Sequence, residues 1–201
     1  MSAPASALQY SPQTIVTRRP LIVWLILAVG ALLVLALVAL APVALANNHP
    51  SVAWTIYRGF SKVCHQLPER SFFIDGHPLA VCARCTGLYA GFTAALVVYP
   101  LAVSLKRTFA PPRKWLFLAA LPLAIDFSLT FFGIWENTHS SRFLTGALLG
   151  SVAVFYVMPG VVDLALRGWR VASSHSREIT SVAPVSVATA PSDYSSPHRR
   201  I

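Results

Sequence analysis

The stretch LIVWLILAVGALLVLALVALAPVALA, residues 21–46, runs for 26 residues without a charge. At 1.5 Å per residue a helix of that length reaches about 39 Å, enough to cross a hydrocarbon core of ~30 Å with some tilt. Arg18 and Arg19 precede it, and Ala44-Leu45-Ala46 near its end resembles a signal cleavage site. A secretory signal, however, has an apolar region of only about 7–15 residues. The stretch therefore reads as a retained transmembrane helix.

Three more apolar runs follow. Residues 79–105 are apolar apart from Arg84, which lies near their start. Residues 115–135 carry one acid, Asp126. Residues 143–166 end close to Asp163 and Arg167. The composition agrees, with 55% hydrophobic and 11% charged residues, where soluble domains carry roughly 25% charge. The expected fold is an all-α polytopic membrane protein, a bundle of four transmembrane helices occupying residues 18–170. Residues 1–17 read as a disordered N-terminus, and 171–201 as a disordered basic tail.

Between the first two spans, Val52, Ile56, Phe60 and Val63 fall at steps of four, four and three residues. That spacing predicts a short amphipathic helix at the membrane surface. Ile74-Asp75-Gly76-His77-Pro78 then reads as a tight turn leading into the second span.

The formal net charge is +9, from 16 Lys+Arg against 7 Asp+Glu. These charges lie at the ends of apolar runs, which points to lipid headgroups and topology. No base-reading motif accompanies them, so the expected partner is the lipid bilayer and not nucleic acid. Arg18 and Arg19, then Lys106, Arg107, Arg113 and Lys114, then Arg167, Arg170, Arg177, Arg199 and Arg200 make eleven basic residues on one side. Arg58, Lys62, Arg70, Arg84 and Arg142 make five on the other. The bias toward the cytoplasmic side places both termini in the cytoplasm of a multi-pass cell-membrane protein. The loop around residues 60–87 then faces outward.

That loop holds all three cysteines, in FSKVCHQLPERSFFIDGHPLAVCARCTG, residues 60–87. Cys64 and His65 are followed, after sixteen intervening residues, by Cys82-Ala83-Arg84-Cys85. A Cys-x-x-Cys with a second half-site some 15–20 residues away has the spacing of a zinc site. Cys64, Cys82 and Cys85 are candidate ligands for zinc or iron, with His65 or, alternatively, His77 as the fourth. The same residues suit thiol redox chemistry. Pro78 fits the first turn of a helix, and Cys82 and Cys85 would share one face at its start, where the dipole favours thiolates. A plain disulfide with one buried thiol is the third reading. Thr86 follows Cys85, so this is not a c-type haem motif.

Asp126 lies 11 residues after Trp115 and 9 before Trp135, near the middle of its run. An aspartate at that depth costs about 2.5–3.5 kcal/mol on insertion scales, so it needs a partner or a function. Tyr89, Thr93 and Thr145 are the expected hydrogen-bond partners. The alternative is a path for protons, ions or substrate, in a small carrier, channel or assembly partner whose cysteines are structural. Glu136 and Arg142 flank the last outer loop and are expected to pair with Arg70 and Glu69 in a polar cap over the cysteines. Gly146 and Gly150 form a G-x-x-x-G, a candidate close-packing face.

The segment CHQLPERSFFIDGHPLAVCARCTGLYAGF resembles the signature of a prokaryotic membrane-protein family catalogued as domain of unknown function 2085. Its Cys-His-Gln-x-Pro-x-Arg-Ser-Phe is matched by residues 64–72, and its Val-Cys-x-Arg-Cys-Thr-Gly-x-Tyr by residues 81–89. The family's aspartate and later Thr-Gly are matched by Asp126 and by Thr145-Gly146. Family members often carry glycine after the aspartate, where this chain has Phe127. The resemblance covers about residues 60–150 and implies a multi-pass membrane protein of unestablished activity. It does not choose among metal, redox and structural roles for the cysteines.

Overall fold

The computed structural model describes residues 18–180, with side chains as far as Leu166. Five α-helices carry the chain: α1 Arg19–Ala46, α2 Pro50–Phe60, α3 Ala83–Ala102, α4 Lys114–Phe131 and α5 His139–Thr180. Four of them are long and apolar enough to cross a membrane: Arg19–Ala46, Ala83–Ala102, Lys114–Phe131 and His139–Leu166. The short helix α2 lies between the first two, as the spacing of Val52, Ile56 and Phe60 predicts, but it ends at Phe60, so Val63, counted in the same pattern, lies in the turn beyond it and is exposed. Residues up to Leu166 form one compact unit and Arg167–Ile201 a second. The expected disordered stretches at 1–17 and 181–201 lie outside the described residues. Residues 171–180, expected to be part of the tail, are helical instead. They contain neither proline nor glycine, so nothing in VASSHSREIT stops a helix already under way.

In the first span mostly small residues face the rest of the unit and large apolar ones face away. Helix α1 buries Pro20, Ala28, Val38, Ala41, Pro42 and Ala44, while Leu25, Ile26, Val29 and Leu33 point outward. This is the arrangement of a protein whose surroundings are as apolar as its own side chains. The shared core at the end away from the cysteines is Ala28, Leu96, Tyr99, Val154, Met158 and Val162, drawn from α1, α3 and α5.

Helices α3 and α5 meet backbone to backbone. A Cβ on Gly87 would lie 2.0 Å from the Phe143 carbonyl oxygen, and one on Gly91 2.1 Å from that of Ala147. The relation is reciprocal: a Cβ on Gly146 would lie 2.2 Å from the Arg84 carbonyl oxygen and one on Gly150 2.1 Å from that of Leu88. Two G-x-x-x-G motifs therefore interlock, of which the sequence reading found only the second. Ser151 adds a hydrogen bond from its hydroxyl to the Gly91 carbonyl at 3.1 Å.

Proline inside a helix removes one N–H and leaves the carbonyl four residues earlier without its helical donor. Two such carbonyls are put to use. Pro42 frees Val38, whose carbonyl accepts the Ala80 N–H at 3.3 Å. Pro100 frees Leu96, whose carbonyl accepts the Trp24 Nε1–H at 2.8 Å. In a water-free setting these bonds remove an otherwise expensive orphan acceptor, and both of them tie α1 to the α3 segment.

The loop before α3 is a miniature hairpin. β1, Phe73–Ile74, pairs antiparallel with β2, His77–Pro78. Asp75 (φ 50°) and Gly76 (φ 77°) make the two-residue turn, the Asp-Gly pattern that suits a type I′ turn. Pro78 thus belongs to a strand and not to the first turn of α3. That helix starts at Ala83, with Cys82 in extended backbone (φ −64°, ψ 161°) at its N-cap. At the far end α4 stops at Phe131, and Gly133 (φ 67°) turns the chain, so the third span ends four residues earlier than expected. Asp126 consequently lies in the last turns of α4, close to the cysteine end, and not at mid-span.

The glycine seam makes a direct prediction. Gly146→Ala or Gly91→Ala forces apart two helices that touch through their backbones, and each should destabilise the protein by about 3 kcal/mol or more. Gly30, whose Cβ position is open, should accept alanine at no cost. Detergent-micelle unfolding in SDS, followed by tryptophan fluorescence, gives the comparison. Equal stability of Gly30→Ala and Gly146→Ala would overturn the seam.

Candidate functional site

The cysteines meet at the end of the bundle where α1 finishes, α3 begins, α4 finishes and α5 begins. The Sγ atoms of Cys64, Cys82 and Cys85 all lie within 4.8 Å of one another, and all three thiols are free. Neither ring of His65 or His77 belongs to that group among the described residues. His65 is exposed on the rim of the adjoining cavity, and His77 is held in the hairpin opposite Ile74.

Each thiol is placed by a different piece of chain. Cys64 follows α2, where its backbone N–H bonds the Phe60 carbonyl at 3.0 Å. Gln66 adopts a left-handed backbone (φ 53°). Its side-chain amide donates to the carbonyls of Tyr57 at 2.8 Å and Ala80 at 2.7 Å. One side chain thereby clamps the end of α2 to the strand entering α3. The Tyr57 hydroxyl donates to the Pro78 carbonyl and reinforces the same closure. Cys82 caps α3, and Cys85 sits in its first turn. Beneath the sulfurs lies an apolar floor of Val38, Leu79 and Val81, with Phe60, Phe72 and Tyr89 around it.

One thiol of the three, Cys82, favours the thiolate form. The Cys82 backbone N–H points at the Cys64 sulfur at 3.3 Å. The Cys82 thiol is held far below the ordinary thiol range, first by hydrogen bonding from the Cys64 side chain, then from that of Cys85. Burial opposes this, and the N–H groups of Cys85 and Arg84 at the start of α3 assist it.

Beside the sulfurs is a cavity of about 340 Å³ whose lining includes the three cysteines, Arg70, Arg84, Phe127 and Arg142. Arg84 Nη2 donates to Asp126 Oδ2 at 2.5 Å, and its guanidinium also lies 5.7 Å from the Phe127 ring centre. The Ser141 hydroxyl donates to Asp126 Oδ1 at 3.0 Å, and the Asn137 side chain donates to the Asp126 backbone carbonyl. Asp126 is 8% exposed and, with Ala119, makes up the buried set of α4. Its carboxylate is thus the fastening between α4, α3 and α5.

Several expectations give way here. Thr93 and Thr145 do not reach Asp126; their hydroxyls bond carbonyls within their own helices. The Tyr89 ring packs against Phe60. The expected cap of Glu136 and Arg142 paired with Arg70 and Glu69 does not form among the described residues. Glu69 and Glu136 are exposed, whereas Arg142 is buried and turned toward Arg70 and Arg84. The Arg84–Asp126 pair was available in the sequence, because these are the two opposite charges inside the second and third apolar runs. Gln66 was visible only as part of a motif, since nothing in a sequence says that an amide will bridge two carbonyls.

Comparisons with known proteins match the part of the chain that carries these residues. A family model described as "Predicted membrane protein (DUF2085)" matches residues 64–156, from the first cysteine past Arg142. An uncharacterized protein of Methanocaldococcus jannaschii is 43% identical over 105 residues, covering 52% of this chain and 67% of the relative. Another, from Methanothermobacter thermautotrophicus, is 39% identical over 92 residues, covering 45% and 80%. No solved structure matches. With the cysteine segment, Arg84, Asp126 and Arg142 all inside the matched region, the chain belongs to the DUF2085 family of predicted membrane proteins.

Proposed function

We propose that the protein is a membrane-embedded thiolate site for a soft divalent metal, zinc in the first instance, on the extracytoplasmic face. The observation that carries this is the convergence of three free sulfurs within 4.8 Å. Tetrahedral zinc with bonds of ~2.3 Å spaces its sulfurs about 3.8 Å apart, so small side-chain movements suffice. Thiolate ligands favour zinc, copper(I) or iron–sulfur chemistry over hard cations. Cys64, Cys82 and Cys85 would be the ligands. His65 and His77 lie outside the group, which leaves one of zinc's four positions for a ligand from elsewhere. That is the donor count of sites that exchange or act on a ligand, not of closed structural sites.

A thiol-redox role would use the same three residues, and the lowered Cys82 thiol suits it too. The carrier reading, with Asp126 in a transport path, has less support, because the carboxylate is bound by both Arg84 and Ser141. The outward placement rests on the eleven-to-five distribution of basic residues, with both termini in the cytoplasm.

Protein purified in detergent and loaded with zinc should hold about one ion per chain by elemental mass spectrometry. Cys64→Ser, Cys82→Ser and Cys85→Ser should each weaken binding by about two orders of magnitude or more, while His65→Ala should change it by less than about threefold. A wild-type protein that takes up no zinc, copper or iron, or that binds as well without Cys82, would refute the metal reading.

Binding should also release fewer than three protons per zinc at neutral pH. The depressed Cys82 thiol is already ionised there, and affinity should fall with acid as the other ligands must be deprotonated. Calorimetry in buffers of different ionisation enthalpy measures the number, and release of three protons would contradict a preformed thiolate. For the orientation, a membrane-impermeant maleimide should label the chelator-treated thiols in intact cells. Labelling only after permeabilisation would reverse the topology.

A further inference from the structure

Three arginines from three separate segments converge beside the thiols: Arg70 at the end of the 3₁₀ turn Pro68–Arg70, Arg84 in the first turn of α3 and Arg142 in the first turn of α5. All three line the 340 Å³ cavity. They also line a smaller adjoining recess of about 90 Å³ with Phe127, Thr130 and Phe131, which no cysteine reaches. Like charges gathered in one recess repel, and a buried charge without a partner is expensive. Asp126 offsets Arg84. No carboxylate lines either cavity among the described residues, so nothing there offsets Arg70 and Arg142.

Arg142 is the better buried of the two. It is 8% exposed, and among the described residues its guanidinium makes no hydrogen bond or ion pair. The Nε of Arg84 is likewise buried without a partner. Guanidinium groups present planar, paired donors that match the oxygens of a phosphate, and a few convergent polar groups in a largely apolar pocket are the mark of a ligand site. Phe127 and Phe131, both exposed on α4, form the apolar wall on the side where α4 would meet lipid.

We infer that Arg70, Arg84 and Arg142 form a binding site for a phosphate group, either the headgroup of an anionic phospholipid or a soluble phosphate. The site is separate from the metal proposal, because the smaller recess contains arginines and no thiols.

The test uses the full chain in neutral detergent with a chelator present throughout, so that metal plays no part. Thermal unfolding is followed during titration with inorganic phosphate, with short-chain phosphatidic acid and with short-chain phosphatidylcholine. Phosphate or phosphatidic acid should raise the midpoint saturably, and phosphatidylcholine should do so far less. A response to phosphate itself identifies the soluble source; a response to phosphatidic acid alone identifies the lipid headgroup. Arg142→Gln and Arg70→Gln should each weaken the response about tenfold or more, and Arg58→Gln, on α2, should leave it unchanged. Arg70 is exposed, so its variant keeps the test valid even if Arg142→Gln does not fold. Absence of a saturable response to either anion, or an undiminished response in Arg70→Gln, would overturn the assignment.

Discussion

Helices α3 and α5 touch through their backbones at Gly87, Gly91, Gly146 and Gly150, and the cysteine end of the molecule takes its geometry from that contact. The register it sets is tight, because carbonyl oxygens occupy the space where side chains would stand. It brings the Arg84 carbonyl over Gly146, and with it the first turn of α3 beside that of α5. Cys85 and Arg84 therefore face Arg142, and Ser141 comes within reach of Asp126. A wider separation of the two helices would leave Cys82 and Cys85 at the start of α3 but would dissolve the charged half of the site.

The loop itself depends on polar closure. Gln66, Tyr57 and the Asp75-Gly76 turn hold the chain leaving α2 against the chain entering α3, and the Val38 carbonyl receives the Ala80 N–H from below. In water each of these bonds would be worth about 1 kcal/mol. Near a bilayer the alternative is an unsatisfied group, so their value lies in excluding other loop conformations. The outcome is that Cys64, 18 residues away in the chain from Cys82, receives its backbone N–H.

The spans were legible because each is a long run without interior charge, and the gathering of the cysteines followed from their spacing. The short helix α2 was legible from its apolar steps, and the turn from Asp-Gly. The errors share a cause. Pro78 is compatible with a helix start, yet it pairs in the hairpin, and Leu79 and Ala80 after it stay out of the helix because their backbone groups are claimed by Phe72, Val38 and Gln66 across the fold. Likewise, Arg142 and Glu136 looked like cap partners because both flank a loop. The helical register of α5 turns one inward and leaves the other outside, and no local pattern in the sequence reports that. Phe127, conspicuous only as a departure from the usual glycine, turns out to be a wall of the cavity and a platform for Arg84.

The bare carbonyl of Val38 bears on what the first helix is for. Any sufficiently greasy segment would enter the bilayer at that position, so insertion places few demands on the 28 residues of α1. Receiving the thiol loop demands much more: a proline four residues beyond Val38, at the depth where Ala80 arrives. A substitute of equal hydrophobicity lacking that proline would anchor the chain and yet leave the loop with nowhere to dock. Membrane residence and assembly of the cysteine pocket are thus two separable duties written into one helix.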